Sequence, residues 1–264
     1  MIGVLIPKGN DRLFSSLVFQ KKKDFKVYVP EGDLVADAYE GQLPLVRGGL
    51  NDVAEPYVWI LEEGALPGKD FLRRALHTLG RHPEFDVYHA CLAEGDRFPR
   101  ILKKEKLFRK LVLENVPVPF SSCIFSTAQL KGKAVFRADG ALDPLPTILA
   151  CAWEKGLRNI WHGELEWEVS AVPPSSPAEE EKRIRERLDF FHWTESFFGE
   201  DYPVGLGERL GLFAGQVAKL FPSYSEDSLK EMMQSFRAAE GPVRKLRANS
   251  ALKSALKARQ QALK

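Results

Sequence analysis

Two carboxylates, Glu62 and Glu63, directly follow the apolar run Tyr57–Leu61. The run predicts a buried strand, so the two glutamates would lie at the point where that strand ends. Open α/β sheets bind their ligands at the carboxyl edge of their strands, and the pair is therefore a candidate for ligand binding. The alternative interpretation is that both glutamates only end a strand in solvent.

Polar loops follow two earlier predicted strands in the same way. Ile2–Ile6 ends at the loop Pro7-Lys8-Gly9-Asn10-Asp11, and Phe25–Val29 ends at Pro30-Glu31-Gly32-Asp33. A helix predicted over about Arg12–Phe19 separates the two strands, which gives one βαβ unit with parallel strands. Because the carboxyl ends of parallel strands share one edge of a sheet, we expect all three polar segments to meet in one pocket.

The rest of the pattern predicts more helices and a helical extension. After Glu63, a turn at Leu66-Pro67 leads to a helix that begins near Asp70, and a later helix over Thr147–Gly156 precedes the strand Leu157–Trp161. Proline and serine at 172–177 predict a linker. Beyond the linker, helical spacing of apolar residues predicts helices at Ala178–Phe198, Gly207–Leu220 and Glu226–Ala239.

The composition is typical of a globular protein, since 44% of the 264 residues are hydrophobic, 28% are charged, and the formal net charge is +2. No apolar run approaches the roughly 20 residues that span a bilayer. The N-terminus has no basic leader, so we expect no signal peptide. The three cysteines lie far apart without a C-x-x-C pair, which favours reduced, packed thiols in a cytosolic protein.

Several segments together resemble the family-two glycosyltransferases. IGVLIPKGN and SSLVFQKKKDFKVYVPEGD resemble the family's first strand, helix and second strand, and RGGL with AEPYV resembles the segment before its acidic metal motif. LFRKLVLENVPVPFSSCIFSTAQL is similar to the helix, turn and strand beside the family's acceptor site. The resemblance spans about residues 1–190. It implies an α/β, GT-A-like fold with a mostly parallel mixed sheet flanked by helices. Residues 1–172 would form the nucleotide-sugar-binding domain and residues 178–264 a helical C-terminal extension.

The resemblance implies that the first two polar loops hold the base and ribose of a nucleotide. The residues at those positions are Pro7, Lys8, Gly9, Asn10, Glu31 and Asp33. Backbone groups at a strand end, and a carboxylate that accepts from hydroxyl donors, suit that task. Pro30 replaces the family's first aspartate in the second loop. Lys8 could meet a phosphate, or it could lie in water as an ordinary loop lysine.

The resemblance also implies a divalent cation, Mg²⁺ or Mn²⁺, that bridges the diphosphate of the donor. The ligands would be Glu62 and Glu63, because such ions bind proteins through one or two carboxylates. In the alignment on Leu66-Pro67, however, the family's usual direct ligand falls on Gly64, which has no side chain. Solvated carboxylates without a metal are the alternative.

An inverting transferase needs a carboxylate within hydrogen-bond reach of the acceptor hydroxyl. The family supplies it from an acidic pair before the late helix, and here those positions hold Pro144 and Leu145. Asp143 is the nearest acid and is the candidate base; its alternative role is that of a loop acid before Pro144. On the acceptor side, Ser121 and Ser122 match the serines of the family.

The predicted function is transfer of a sugar from a nucleoside diphosphate to a glycan, lipid-linked or other cell-surface acceptor, with inversion. The alternative is a catalytically inactive nucleotide-binding or scaffold protein, because Pro30, Gly64 and the Pro144-Leu145 pair stand where the family has acids. A nucleotidyltransferase would need a glycine-rich basic loop after the first strand, and the loop Pro7–Asp11 is too short and too poor in glycine for that.

The C-terminal stretch 242–264 is basic and contains no acidic residue. Its leucines at 246, 252, 256 and 263 lie roughly on one helical face, so an amphipathic helix on anionic lipid is one interpretation and a solvated tail is another. The first interpretation would place a cytoplasmic protein at the inner face of the membrane. Because the basic residues are not interleaved with aromatic residues, we expect no nucleic acid as a partner.

Overall fold

The structure is a computed structural model that describes residues 1–62, 64–92, 100–113, 118–137, 139–167 and 177–203, with Lys253 and Lys257. For residues 91–92, 113, 161–167, 177–185 and 187–188 it describes the backbone alone. The chain divides into two compact units, residues 1–107 with 117–170, and residues 108–116 with 171–264. The domain division at residues 172–178 stays a prediction.

Nine strands of the described chain form one sheet in the first unit. In chain order they are β1 Ile2–Leu5, β2 Phe25–Val29, β3 Leu45–Arg47, β4 Tyr57–Ile60, β5 Ala65–Pro67, β6 Val87–Leu92, β7 Ile101–Leu102, β8 Cys123–Ser126 and β9 Leu157–Trp167. The helices are α1 Asp11–Val18, α2 Leu34–Asp37, α3 Phe71–Arg81, α4 Lys104–Phe108, α5 Thr127–Lys133, α6 Pro144–Ala152 and α7 Pro177–Phe198. A π-helical turn, Arg109–Leu113, follows α4, and 3₁₀ turns lie at Leu50–Asp52, Phe120–Ser122 and Gly199–Asp201.

The strand order is β3-β2-β1-β4-β8-β6-β9-β5, with β7 also paired to β9. The strands β3, β2, β1 and β4 are parallel neighbours, and β6 is parallel to β9. The strand β8 runs antiparallel to both β4 and β6, and β5 runs antiparallel to β9. The prediction of a mostly parallel mixed sheet flanked by helices is confirmed.

Apolar side chains on one face of the sheet explain how α1 and α3 are held. Leu13, Phe14 and Leu17 of α1 are fully buried. On the α3 side, the rings of Trp59 and Phe71 stack with centroids 4.3 Å apart. Burying apolar side chains of this size contributes roughly 1.5–3 kcal/mol each, so these contacts position both helices firmly against the sheet.

Two local predictions are wrong. Leu66-Pro67 does not form a turn, because both residues belong to β5, where Pro67 pairs with Leu165 of β9. Proline is tolerated there because β5 is an edge strand, and the side of an edge strand without a neighbour needs no N–H donor. The late helix begins at Pro144 rather than Thr147. A proline fits the first position of a helix, since its missing N–H would have no intrahelical partner.

The second unit contains α7, which the sequence predicts to within one residue. Phe191 and Phe198 on this helix are buried, and the ring of Phe198 meets those of Phe108 and Tyr202 edge to face. The predicted helices Gly207–Leu220 and Glu226–Ala239 lie outside the described residues. Of the basic stretch 242–264 the structure describes Lys253 and Lys257, and both are exposed. Within the part of the chain that the structure describes, no helix is both long and apolar enough to cross a membrane.

Candidate active site

The carboxyl ends of β1, β2 and β4 lie side by side at one edge of the sheet. The N–H of Ile6 donates to the carbonyl of Tyr28 at 2.9 Å, and the N–H of Leu61 donates to the carbonyl of Leu5 at 2.9 Å. The central strand β1 is therefore flanked on both sides by parallel neighbours that end level with it. This is the position at which open α/β sheets bind ligands.

The loop after β1 is shaped by the start of α1. Asn10 caps the helix, because its Oδ1 accepts from the N–H of Leu13 at 2.9 Å. A Cβ on Gly9 would lie 2.3 Å from the ring of Phe14, so no larger residue fits there without moving α1. Pro7 and Lys8 are exposed at the edge of the sheet. The predicted nucleotide-binding residues of this first loop, Pro7 to Asn10, thus form a short loop that α1 holds in place. Its first two residues are exposed to solvent.

The second polar loop is held by a capping aspartate and by an arginine. Oδ1 of Asp33 accepts from the N–H groups of Val35 and Ala36, both at 3.1 Å, while Glu31 is exposed. Arg47, at the end of β3, donates to the carbonyl of Pro30 at 3.2 Å and pairs with Asp37 of α2. Arg47 therefore joins the loop to α2. The family resemblance includes Arg47 in the segment RGGL but gives no such role for it.

Glu62 and Ser121 lie together at the same edge, although 59 residues separate them along the chain. The N–H of Glu62 donates to Ser121 Oγ at 2.7 Å, and this hydroxyl in turn faces Glu62 Oε2 at 3.4 Å. Trp59 Nε1–H donates to the carbonyl of Ser121 at 2.6 Å. These bonds form because β8 runs antiparallel to β4, which brings the start of β8 to the end of β4.

Burial raises the pKa of the Glu62 carboxyl, and the hydrogen bonds from Ser121 and the positive charge of Arg137 partly oppose that rise. Arg137 lies in the segment between α5 and α6, and it is a residue that the sequence reasoning missed. Motif spacing gives no signal for it, because its proximity to Glu62 depends on the fold. A predicted metal ligand and a predicted acceptor-side serine are therefore joined by hydrogen bonds.

Ser122 and Asp143 have different surroundings. Ser122 is fully buried, as is Ser121, but its hydroxyl donates to the carbonyl of Pro119 at 2.6 Å, so its side chain supports the turn before β8. Asp143 is the residue before α6. Its N–H donates to the carbonyl of Val135 at 2.8 Å, and its side chain makes no capping bond to α6. Glu63, the second predicted metal ligand, lies outside the described residues.

The donor atoms of the site fit a divalent cation only in part. Glu62 supplies one carboxylate, and Mg²⁺ commonly binds through one or two protein carboxylates together with substrate phosphates. Gly64 contributes no side-chain ligand. Among the residues that the structure describes, no cluster of three or more histidine, cysteine or acidic side chains could hold a metal ion.

The chain is similar to several solved structures. S. aureus TarS 1-349 in complex with UDP has a TM-score of 0.53 at 16% identity, and the match covers 99% of this chain and 90% of that chain. The complex of the same protein with UDP-GlcNAc has a TM-score of 0.51 at 15% identity, covering 99% and 91%. Glucosyl-3-phosphoglycerate synthase from Mycobacterium tuberculosis, in complex with Mn²⁺, UDP and phosphoglyceric acid, is 14% identical, with a TM-score of 0.47 over 75% of this chain and 78% of that chain.

The chain has the GT-A fold. At 13–16% identity to the TarS structures, the likeness concerns the fold. No protein-family model and no curated protein sequence matches the chain. Membership in family two of the glycosyltransferases therefore stays a prediction.

Proposed function

We propose that this protein transfers a sugar from a nucleoside diphosphate to a hydroxyl of a glycan, lipid-linked or other cell-surface acceptor, with inversion. The observation that carries the proposal is the single edge at which β1, β2 and β4 end beside the Glu62–Ser121 pair. Such an edge offers exposed loop backbone and carboxylates, which suits a donor that has a base, a ribose and a diphosphate.

The nucleotide would bind across the first two loops. Pro7, Lys8, Gly9 and Asn10 would present backbone groups to the base, and Glu31 and Asp33 would accept from base or ribose donors. Asp33 uses Oδ1 for its two capping bonds, so Oδ2 is the atom that would accept from a ribose hydroxyl. The TarS structures of the same fold hold UDP and UDP-GlcNAc, which makes uridine nucleotides the first ligands to test.

Glu62, with Glu63, would hold a divalent cation, Mg²⁺ or Mn²⁺. When bound, the cation would supply positive charge to the diphosphate of the donor. Binding of Mn²⁺ in the absence of nucleotide, followed by thermal shift, measures this site separately from the nucleotide site.

Asp143 would act as the general base. In the transfer step the acceptor oxygen forms a bond to the anomeric carbon, the bond from that carbon to the diphosphate breaks, and its electron pair leaves with the diphosphate. The proton of the acceptor hydroxyl passes to the carboxylate of Asp143. The position of Asp143 directly before α6, one residue from the position of the family's acids, supports this role. Ser121 would lie between the donor side and the acceptor side.

A thermal-shift titration tests the proposal. The protein would be titrated with UDP, GDP and their sugars, with and without Mn²⁺, and hydrolysis of the stabilising donor would then be followed. We expect metal-enhanced stabilisation by one nucleotide and slow release of its sugar. If none of these nucleotides shifts the unfolding temperature, the proposal is wrong.

A second candidate function is nucleotide or partner binding without turnover. The observation that favours it is the set of residues found where acids are expected, namely Pro30, Gly64, Pro144 and Leu145. The same titration separates the two candidates. Stabilisation by a nucleotide without any donor hydrolysis or transfer would support the second function and contradict the first.

A further inference from the structure

Tyr39 connects the two segments that carry the predicted nucleotide-binding loops. It lies just after α2, the helix that Asp33 of the second loop caps, and its N–H donates to the carbonyl of Ala36 at 2.9 Å. Its carbonyl accepts from the N–H of Gln42 at 3.0 Å and from the N–H of Leu43 at 3.1 Å. Backbone hydrogen bonds on both sides therefore fix this part of the chain without help from the tyrosine hydroxyl.

The hydroxyl of Tyr39 bonds to the start of α1. It donates to the carbonyl of Asp11 at 3.0 Å and lies 3.4 Å from Oδ1 of the same residue. Because a phenol has a single hydrogen, the contact of 2.8 Å with Ser15 Oγ is then a bond that the serine donates and the tyrosine accepts. Both partners belong to the first five residues of α1, the helix that directly follows the first loop.

The ring of Tyr39 is joined to the first loop through Phe14. The two rings stack with centroids 5.3 Å apart and an angle of 28° between their planes. Phe14 is fully buried, and its ring lies so close to Gly9 that a side chain on the glycine would collide with it. Asn10, the next residue, caps α1. The contacts therefore form a continuous chain from Tyr39 to the backbone of the first loop.

The second loop is joined to Tyr39 through α2. Asp33 of that loop caps the helix, and Arg47 pairs with the helix while it donates to the carbonyl of Pro30. Strand pairing fixes the ends of β1 and β2 relative to each other. Beyond the strand ends, the relative position of the two loops depends on these side chains, and Tyr39 joins the α2 side to the α1 side.

We propose that Tyr39 is a positioning residue that holds the two loops in the arrangement that receives the base and ribose of the sugar donor. This inference rests on the proposed function. A site that is formed before its ligand arrives binds more tightly than one whose loops must be ordered on binding, because the ordering costs conformational free energy. Tyr39 acts through α1 and α2, so it needs no contact with the nucleotide. Its effect should concern the nucleoside part of the donor, and the affinity that the diphosphate adds should remain.

Calorimetry with Tyr39→Phe tests the inference, because this variant keeps the stacked ring and loses the bonds of the hydroxyl. The ligands are UDP, measured directly, and uridine, measured by competition with UDP; GDP and guanosine are the second pair. We expect nucleoside and diphosphate to bind more weakly by the same factor, about 3- to 10-fold, since both lose the benefit of ordered loops. Ser15→Ala removes one of the same bonds. Added to Tyr39→Phe, it should weaken binding no further, because that bond is already lost.

Tyr88→Phe is the matched control. It makes the same chemical change on β6, three strands from β1 in the sheet, where the hydroxyl of Tyr88 donates to the carbonyl of His82. Chemical denaturation should show a loss of stability in both variants, because each loses hydrogen bonds of a tyrosine. Only Tyr39→Phe should bind nucleosides and nucleotides more weakly.

Three results would overturn the inference and leave the proposed function intact. They are equal affinity in wild type and Tyr39→Phe, an equal loss of affinity in Tyr88→Phe, and a loss for UDP without a loss for uridine. If the wild type binds neither UDP nor GDP, with or without Mn²⁺, the proposed function fails and the inference fails with it.

Discussion

Asp143 is the residue on which turnover should depend most strongly. We expect Asp143→Asn to lower the rate of sugar transfer by about 10²- to 10⁴-fold, because the amide cannot take the proton of the acceptor hydroxyl. Nucleotide affinity should not change, since the residue lies at the start of α6 and not in the loops after β1 and β2. Asp139→Asn, in the same connection between α5 and α6, is the matched control and should keep its activity. Full turnover of Asp143→Asn would reject Asp143 as the base.

Ser121 and Ser122 are neighbours in sequence with separate tasks. Ser121→Ala removes the acceptor of the Glu62 N–H, and Ser122→Ala removes the donor to Pro119. We expect each change to lower the free energy of unfolding by about 1–3 kcal/mol, because each leaves a polar group without its partner. Chemical denaturation measures this loss. Only Ser121→Ala should also weaken UDP binding; a similar effect of Ser122→Ala on binding would show that the two serines share one role.

The contact between Glu62 and Ser121 shows what the sequence can predict about single residues and what it cannot. The sequence places Glu62 after a buried strand and, through the family resemblance, Ser121 on the acceptor side. It does not show that the two residues touch, because this depends on β8 inserting between β4 and β6 in the opposite direction. Arg137 escapes prediction for the same reason, since no sequence motif marks it and its effect on Glu62 depends on the fold.

At the scale of elements, the junction of α1 and α3 is held by polar side chains. Gln20, which is buried, donates to the carbonyl of Gly68 at 2.8 Å and accepts from the N–H of Leu72 at 3.1 Å. Asp70, with a side chain only 12% exposed, pairs with Lys21 at 2.8 Å and with Arg73 at 2.8 Å. Hydrogen bonds from these two cations lower the pKa of Asp70 from 3.8 to about 2.

This junction should make stability depend on pH in the acid range. Because the pKa of Asp70 is lower in the folded protein, the ionised side chain stabilises the fold above pH 3.8, and this contribution is lost as the pH falls towards about 2. We therefore expect Asp70→Asn to lower the unfolding temperature at pH 6 and to flatten its fall between pH 4 and 2. Asp24→Asn is the control, as Asp24 contacts only the N-terminal amine, at 3.7 Å, among the ion pairs of the described chain. A steep fall that persists in Asp70→Asn would contradict the prediction.

The elements themselves follow the sequence closely where apolar periodicity is strong. The strand β2 has the predicted bounds. The helices α1 and α7 each begin one residue before their own predicted first residue. The errors concern prolines, because proline occurs in turns, in edge strands and at the first position of helices. Pro67 marks an edge strand instead of a turn, and Pro144 marks the first residue of α6 instead of a residue before it. Only tertiary pairing distinguishes these cases, since edge position and helix packing are not local properties.

For the whole molecule, the basic stretch 242–264 carries the last prediction, that the protein binds anionic membranes and does not bind neutral ones. Lys253 and Lys257 are exposed, and each lysine near an anionic surface contributes about 1 kcal/mol to attraction. Replacing both by glutamine should therefore weaken binding to phosphatidylserine-containing vesicles by roughly 30-fold, and binding should also weaken as salt increases. Sedimentation with vesicles measures the bound fraction.

Two comparisons decide whether the attraction is specific to this stretch. Lys22→Gln combined with Lys106→Gln removes the same charge from two exposed positions and should leave vesicle binding nearly unchanged, since these residues lie in different segments from 242–264. Vesicles of phosphatidylcholine alone should retain no protein. If the wild type sediments equally with both lipids, or if the control pair weakens binding as much as the Lys253 and Lys257 pair, the basic stretch is a solvated tail, and the acceptor must reach the carboxyl edge of the sheet without help from a membrane surface.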